Sequence, residues 1–403
     1  MNEATAKPRL LVLTSTFPRW QGDHEPAFVF ELARRLTDRF EVTVLAPHAP
    51  GAADEERMEG VQVQRFHYAP ERLELLAYEG GIPSKLKRRP WMALLVPWFL
   101  TAQLLATFRL MRRIGPHVIH AHWLLPSGLI AALVQELPGA NFRLVVTAHG
   151  ADVHLTGGWL SRTLKREVLR SADVVTVVSR ALRDRLAESL PQASFEVAPM
   201  GVDLRQRFVP EPPLVTDPVL VFAGRLVEKK GVADLLRAMP TIIKRVNGTR
   251  LLIVGDGPLR DELHALCRQL GLDDAVEFLG SIPNPQLPQI LRRGRLAVLP
   301  FRVAADGDQE GLGLVTVEAM GCGIPVITTD LPAIQDVVQD GHTGRLTPPG
   351  DPARLAERVI ELLGDQPHAT TLAENARRAA FARFDWDGVS RRYAQLLSDD
   401  VTE

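Results

Sequence analysis

Short, nearly continuous apolar runs alternate along this chain with segments whose apolar positions recur every three or four residues. The first run, "PRLLVLTSTFP", ends in polar and turn residues and predicts a buried strand. A loop "RWQGDHEP", a helix "AFVFELARRL" and a second strand "FEVTVLAP" follow, which makes a βαβ unit and hence a parallel sheet. The alternation continues through strand "HVIHAHW", helix "SGLIAALVQEL", strand "FRLVVTAHG", helix "RTLKREVLRSA", strand "DVVTVVS" and helix "ALRDRLAESL". Residues 204–218, "LRQRFVPEPPLVTDP", are proline-rich and aperiodic and read as a linker. Beyond them the pattern restarts with strands "PVLVFAGRL", "RLLIVGDGP", "AVEFLG", "RLAVLPF" and "PVITT", separated by helical segments. Both halves are therefore expected to be doubly wound α/β sheets, whose ligands bind beyond the carboxyl ends of the strands. The tail "AENARRAAFARFDWDGVSRRYAQLL" reads as helical with a break near "FDWDG".

A chain of 403 residues exceeds one ordinary core, so two domains are expected. Hydrophobic residues make up 46% and charged residues 24%, the composition of a globular protein. A net charge of -1 offers no global basic field for nucleic acid. Cys267 and Cys322 have neither disulfide-framework nor zinc-site spacing, and a reducing, cytoplasmic setting is the simplest expectation. The N-terminal stretch lacks a cleavage pattern and is not read as a signal peptide. One segment departs from this picture: "WMALLVPWFLTAQLLATF", Trp91 to Phe108, holds 18 residues without a charge between "KLKRR" and "RLMRR". It fits a buried helix pair, an element lying on an anionic membrane surface, or a span, and the pattern leaves these three open.

Four stretches carry groups suited to chemistry. In "VFAGRLVEKKGVADLLRAM" a strand delivers Gly224 and Arg225 to a loop, and Lys229, Lys230 and Gly231 open the next helix. A helix start offers free N–H groups and a positive dipole end, and the fixed cations complete the outline of a phosphate site. Taken alone, the stretch also reads as a strand end with solvated charges. In "DQEGLGLVTVEAMGCGIPVI", Glu310 and Glu318 frame glycines 311 and 313, whose backbone lets a ligand approach closely. Asp, Asn, Ser or Thr would cap a helix better, so Glu310 is better used to accept paired hydroxyls from a sugar ring or ribose. Dipole compensation is the plainer alternative. In "TAHGADVHLTG", His149, Gly150 and Asp152 follow a strand where ligands of parallel sheets bind, although a histidine there also serves as a structural group. His120 and His122 share a strand face and could be two metal ligands, but the sequence supplies no third. In the loop "TSTFPRWQGDHEPAF", Gly22 permits close approach, and Arg19, Trp20 and His24 are candidates for acceptor recognition unless the loop is a plain surface turn. "DGD" at 306–308 is too short to specify a metal-held nucleotide, and "GDGPLRDEL" lacks the third glycine of a dinucleotide fingerprint.

Taken in order, "GRLVEKKG", "GDGPLRDEL", "EFLGSIP" and the stretch from Glu310 to Glu318 resemble the retaining glycosyltransferases of family 4, across nearly the whole chain. The resemblance implies a GT-B fold of two Rossmann-like domains facing across a cleft. Residues 1–203 would bind the acceptor, 204–380 would bind a nucleotide-sugar, and a helix in 381–403 would return to the first domain. It implies that Arg225 and Lys230 hold the donor diphosphate beside Gly224, and that Glu310 accepts sugar hydroxyls near the amides of Gly311, Leu312, Gly313 and Leu314. Glu318 would bind the ribose, Gly280, Ser281 and Ile282 would meet the base, and Gly22 would lie on the donor side. His149 would stand beside the donor sugar, with Asp152, His122, Arg19 and Trp20 on the acceptor side or without a fixed role. "PMGVD" at 199–203 resembles the family's "PNGVD" with Met200 in place of asparagine, which leaves that side chain's role without a counterpart.

Retention without an evident enzyme nucleophile implies attack on the face that the diphosphate vacates, with that phosphate taking the acceptor proton, and no metal or cofactor. The opening "STFPRWQGDHEPAFVFELARRL" resembles exopolysaccharide and lipid-linked oligosaccharide enzymes. A lipid-linked or polysaccharide acceptor and peripheral membrane contact through 85–113, at the inner face of the membrane, are therefore expected. The rival expectations are a sugar-nucleotide epimerase and a silent donor-binding partner subunit; Glu310, Glu318, Arg225 and Lys230 together count against silence.

Overall fold

The computed structural model describes residues 6–23, 25, 27–78, 80–154, 158–190, 193–211 and 217–398. His24 and the middle of the proline-rich stretch, 212–216, lie outside them. The chain divides into two compact units. The first takes in residues up to Val178, Arg183–Ala198 and the chain from Ser390 onward; the second comprises Ser179–Leu182 and Pro199–Val389.

Eight strands among the described residues build the first unit's sheet: β1 (Arg9–Leu13), β2 (Glu41–Pro47), β3 (Glu55–Met58), β4 (Val61–Phe66), β5 (Val118–His122), β6 (Arg143–Ala148), β7 (Val174–Val177) and β8 (Phe195–Val197). Their order is β3-β4-β2-β1-β5-β6-β7-β8, parallel throughout except where β3 runs against β4. The apolar runs form the central strands, with Leu10 to Leu13 and all of β5 buried. The hairpin of β3 and β4 was not anticipated. Its signals are the alternation Val61-Gln62-Val63-Gln64 and a two-residue turn in which Glu59 and Gly60 both take left-handed φ, 44° and 90°.

The second unit's sheet comprises β9 (Val219–Ala223), β10 (Arg250–Val254), β11 (Val276–Gly280), β12 (Leu296–Leu299), β13 (Val326–Thr329) and β14 (Arg345–Thr347). Its order is β11-β10-β9-β12-β13-β14, with every pairing parallel. A core of Leu220, Phe222, Leu235, Ile253, Val298, Phe301 and their neighbours fills the space between strands and helices. Both units are thus doubly wound, as the alternation predicted. The order in which strands are added reverses between β1 and β5 in one sheet and between β9 and β12 in the other, and the carboxyl ends at such a switch point are where a ligand fits.

The charge-free stretch is neither a wholly buried pair of helices nor a bare apolar rod. A 3-10 turn, Pro90–Leu95, leads into the helix Val96–Ile114. One stripe, Phe99, Gln103, Thr107 and Leu110, is buried, and Phe99 packs its ring 5.2 Å from Phe66 and 5.0 Å from Tyr68. Leu94 and Trp98, by contrast, are 75% and 68% exposed. Polar Gln103 thus points inward, within 3.3 Å of the Ser127 hydroxyl, while large apolar groups point outward.

The last described helix, Trp386–Ser398, joins the first unit from Ser390 onward. Tyr393 is fully buried there, its ring 5.6 Å from His120 and its hydroxyl donating to the Ala198 carbonyl at 2.8 Å. Tyr393→Ala should lower the first unit's unfolding free energy by about 3–5 kcal/mol, and Tyr393→Phe, which loses the hydrogen bond alone, by about 1 kcal/mol. Denaturant titration of both variants checks this order; equal effects would show that the ring contributes little.

Candidate active site

In the second unit, β9 ends at Ala223 and Gly224 carries the chain over the neighbouring loop, its N–H donating to the Val254 carbonyl at 2.9 Å. Arg225 follows, partly buried. A 3-10 turn, Glu228–Lys230, then sets Gly231, at φ +68°, before the helix Val232–Arg245. A side chain at Gly231 would stand 1.7 Å from the Pro300 carbonyl oxygen, so only glycine lets this helix start lie against the loop after β12. That loop carries Glu310. Lys230 Nζ lies 2.7 Å from Glu310 Oε2 and 4.8 Å from the centre of the Phe301 ring. Beside this pair, Lys229 reaches Asp308 at 3.1 Å, and Arg302 N–H donates to the Lys229 carbonyl at 2.9 Å.

Gly311 and Leu312 are buried, Gly313 takes φ +80°, and Leu314 opens the helix Leu314–Gly321 that bears Glu318. Glu310 also accepts the Gly313 N–H, the amide of the residue just before the helix, while the helix itself has no side-chain cap. The glycine turn folds the backbone back to within reach of this carboxylate. The ends of β9, β10 and β11 are stitched together as Gly255 N–H donates to the Gly280 carbonyl at 2.8 Å, and Gly280, Ser281 and Ile282 form the rim beyond β11. Asp308 of "DGD" is engaged with Lys229 and its N–H bonds the Asp306 carboxylate, which makes the motif a local turn. Met200 is buried, and next to it Gly201 lies under the Trp386 ring.

The two glutamates differ sharply in electrostatics. Burial pushes the Glu310 carboxyl up, but the ammoniums of Lys230 and Lys229 outweigh it and hold it down at about 2. Burial raises Glu318 to about 7, and the more distant charges of Arg207 and Lys230 offset only part of that.

In the first unit, β5 and β6 deliver three histidines. His122 Nδ1 and His149 Nε2 are 2.9 Å apart, and His149 also lies against Phe28 and Trp123, with ring centroids at 5.0 and 4.8 Å. His120 Nε2 meets the Thr147 hydroxyl at 2.7 Å. Burial pulls His120 and His149 to about 3 and His122 well below its ordinary value, so the cluster is uncharged at neutral pH. Asp152 accepts the N–H groups of Leu124, His149 and Gly150 at 2.9–3.1 Å and ties the loops after β5 and β6 together. In the first loop Arg19 forms a bidentate pair with buried Asp23 at 2.8 Å, and its guanidinium lies 4.5 Å above the Trp20 ring. Arg19 thus shapes its own loop around Gly22, which is exposed.

The structure therefore brings Gly224, Lys230, Glu310 and Gly313 together in one unit and His122, His149 and Asp152 in the other. Asp23, Phe28, Phe301, Arg207 and the Lys229–Asp308 pair were not foreseen. Of these only "EKK" facing "DGD" carried a signal, as opposite charges on two loops of one switch point.

Residues 27–206 match the family model described as Glycosyltransferase Family 4, and residues 205–379 match Glycosyl transferases group 1. The chain belongs to the group 1, family 4 glycosyltransferases. It is 32% identical over 411 residues to the GDP-mannose-dependent alpha-(1-6)-phosphatidylinositol monomannoside mannosyltransferase of Mycolicibacterium smegmatis, covering 96% of this chain and 98% of the relative. It is 31% identical over 293 residues to a glycogen synthase of Mycobacterium tuberculosis, covering 70% of this chain and 68% of the relative. Among solved structures, a sucrose-phosphate synthase from Thermosynechococcus elongatus superposes with a TM-score of 0.79 at 23% identity, over 98% of this chain and 99% of that one. HepE of Anabaena, solved with UDP and glucose, gives 0.73 at 20% identity, over 97% and 99%. These GT-B neighbours share the fold.

A carboxyl raised in the folded state binds its proton more tightly there than when unfolded. The stability tied to protonated Glu318 is therefore fully present below its ordinary 4.5 and lost as pH rises through about 7. Glu310 works the other way, and its contribution persists until pH falls from 4.5 toward 2. Between about pH 5 and 8 the ligand-free second unit should lose up to about 2–3 kcal/mol that Glu318→Gln does not lose. Melting curves across that range decide it, and parallel pH profiles for parent and variant would remove the assignment.

Proposed function

We propose that this glycosyltransferase retains anomeric configuration, uses a nucleoside-diphosphate sugar without a metal, and glycosylates a lipid-linked acceptor at a membrane surface. The observation that carries the donor reading is the Lys230–Glu310 pair at the switch point between β9 and β12. An ammonium and a carboxylate that hold each other without ligand are matched to the two ends of such a donor. The diphosphate takes Lys230, with Arg225 and the helix start after Gly231 adding positive charge, and Glu310 is released to accept sugar hydroxyls. Glu318 takes the ribose hydroxyls, the rim at Gly280–Ile282 meets the base, and the amides of Gly311 to Leu314 face sugar and phosphate.

In the reaction the acceptor oxygen bonds to the anomeric carbon on the face from which the diphosphate departs. The bond from that carbon to the phosphate oxygen breaks, and the acceptor hydroxyl proton passes to the leaving oxygen. Charge that builds on the diphosphate is stabilised by Lys230 and Arg225. His149, neutral because it is buried, contributes a hydrogen bond rather than a cation. The names of the mannosyltransferase relatives support GDP-mannose as donor and a phosphatidylinositol mannoside as the kind of acceptor.

Thermal-shift measurements with GDP-, UDP-, ADP- and TDP-sugars, with and without chelator, test the donor. GDP-mannose should raise Tm by the same increment in both conditions, and Glu310→Ala should cut transfer at least about a hundredfold. An increment abolished by chelator sinks the metal-free donor site, and turnover of the sugar nucleotide without any acceptor would favour an epimerase.

The membrane reading rests on the outward face of the helix region, where Trp91, Leu94 and Trp98 stand exposed beside exposed Lys87, Arg88 and Arg89. Apolar groups that enter the interface next to cations that meet anionic headgroups are what such binding requires. The protein should cosediment with vesicles containing about a third phosphatidylglycerol, and less so at high salt. Leu94→Ser with Trp98→Ser should weaken this at least about tenfold. Equal partition of parent and variant would overturn the surface.

A further inference from the structure

A second cluster of ligand-type side chains lies at the carboxyl ends of β2 and β4, away from the groups assigned above. The register pairs Pro47 with Phe66, so His48 and His67, one residue beyond, stand side by side with ring centroids 4.0 Å apart. Glu74, just after the 3-10 turn Glu71–Leu73, folds back under both rings. Its Oε2 is 2.5 Å from His48 Nδ1 and its Oε1 is 3.1 Å from His67 Nδ1. The Glu74 side chain is fully buried, and among the described residues its ion-pair partners are these two histidines alone.

The far side of each ring decides what the near side can be. His48 Nε2 lies 3.0 Å from the Ala52 carbonyl oxygen, and His67 Nε2 lies 2.9 Å from Asp54 Oδ1. Both partners are acceptors, so both Nε2 atoms are N–H donors. In the neutral tautomer this leaves the two Nδ1 lone pairs aimed at the Glu74 carboxylate. Two lone pairs facing the buried Glu74 carboxylate repel, and the repulsion is removed either by a second proton on the rings, which the neighbouring carboxylates of Asp54 and Glu74 favour at His67, or by a metal cation shared by all three groups. Donation of the second ring nitrogen to a carbonyl or carboxylate is also how metal-binding histidines are oriented.

We propose that His48 Nδ1, His67 Nδ1 and the Glu74 carboxylate form a site for one divalent first-row transition ion of the Zn²⁺ type. Imidazole nitrogen with carboxylate oxygen suits that class of ion. One donor atom from each residue lies within 4.8 Å of the others. A tetrahedral ion with ligands at about 2.0–2.2 Å separates its donors by about 3.3 Å, so closing the site takes a shift of about 1 Å. His67, whose side chain is 48% exposed, can supply that shift and leaves an outer position open to water. The ion pins segment 67–74 onto the sheet just before the basic and apolar residues of 85–113, and it takes no part in the donor chemistry.

The test uses the full chain, stripped with chelator and dialysed, and titrated with ZnCl2 and separately with CoCl2. One equivalent should bind per chain, Zn²⁺ should raise Tm, and Co²⁺ should develop visible absorption bands. His67→Gln, at a half-exposed position that leaves the fold intact by circular dichroism, should weaken binding at least tenfold. Glu74→Gln, of nearly the same volume, should do the same. Failure to bind one equivalent, or His67→Gln binding as the parent does, overturns the site.

Discussion

The ion pair between Lys230 and Glu310 is the constraint around which the second unit's site is arranged. Its partners are 80 residues apart in sequence and belong to the loops that leave β9 and β12, the two neighbouring parallel strands at which the order of strand addition reverses. Both side chains are largely withdrawn from water, at 14% and 15% exposure, so either left alone would be an uncompensated, poorly solvated charge. The backbone is built to keep them in register: Gly231 fits under the Pro300 carbonyl, and the Arg302 N–H meets Lys229. A ligand able to satisfy each charge separately can enter without leaving either one buried and unpaired.

From that pair follows the contrast between two glutamates only eight positions apart. Glu310 is buried against two lysines and stays ionised to about pH 2. Glu318, inside the next helix and further from those ammoniums, keeps its proton to about pH 7. Similar burial therefore has opposite results, because Coulomb attraction outweighs desolvation at contact distance and falls short a helical turn or two away. The first unit shows desolvation dominating: three histidines packed on one another and on Phe28 and Trp123 are all held neutral. One unit thus concentrates charge at the strand ends, and the other supplies neutral hydrogen-bonding groups.

The helix Val96–Ile114 obeys a different balance. Its inward stripe contains Gln103 and Thr107, while Leu94, Trp98 and Leu105 are turned outward, the reverse of the usual apolar-in arrangement. Phe99 and Leu110 suffice to dock it on the sheet, and the exposed apolar face is surplus to folding. A large unpartnered apolar surface bordered by cations is the mark of a surface made to meet something else.

The sequence by itself determined the sheets and much of the donor-type loop. Buried parallel strands need continuous apolar runs, and a loop that must pass close to a ligand needs glycine, and both are local requirements written at single positions such as Leu10 to Leu13, Gly231 and Gly313. The hairpin at Glu59 and Gly60 was equally local and equally legible, through alternation and a turn pair. Tertiary structure alone decided which charges meet. No local pattern announces that Asp152 would collect backbone N–H groups from the loops after β5 and β6, or that Glu310 would accept the Gly313 N–H while holding Lys230. Nor could the side-by-side placement of His48 and His67 be read before the register of β2 and β4 was known. Electrostatic partners act through distance in space, and spacing along the chain constrains that distance only within a single turn or strand.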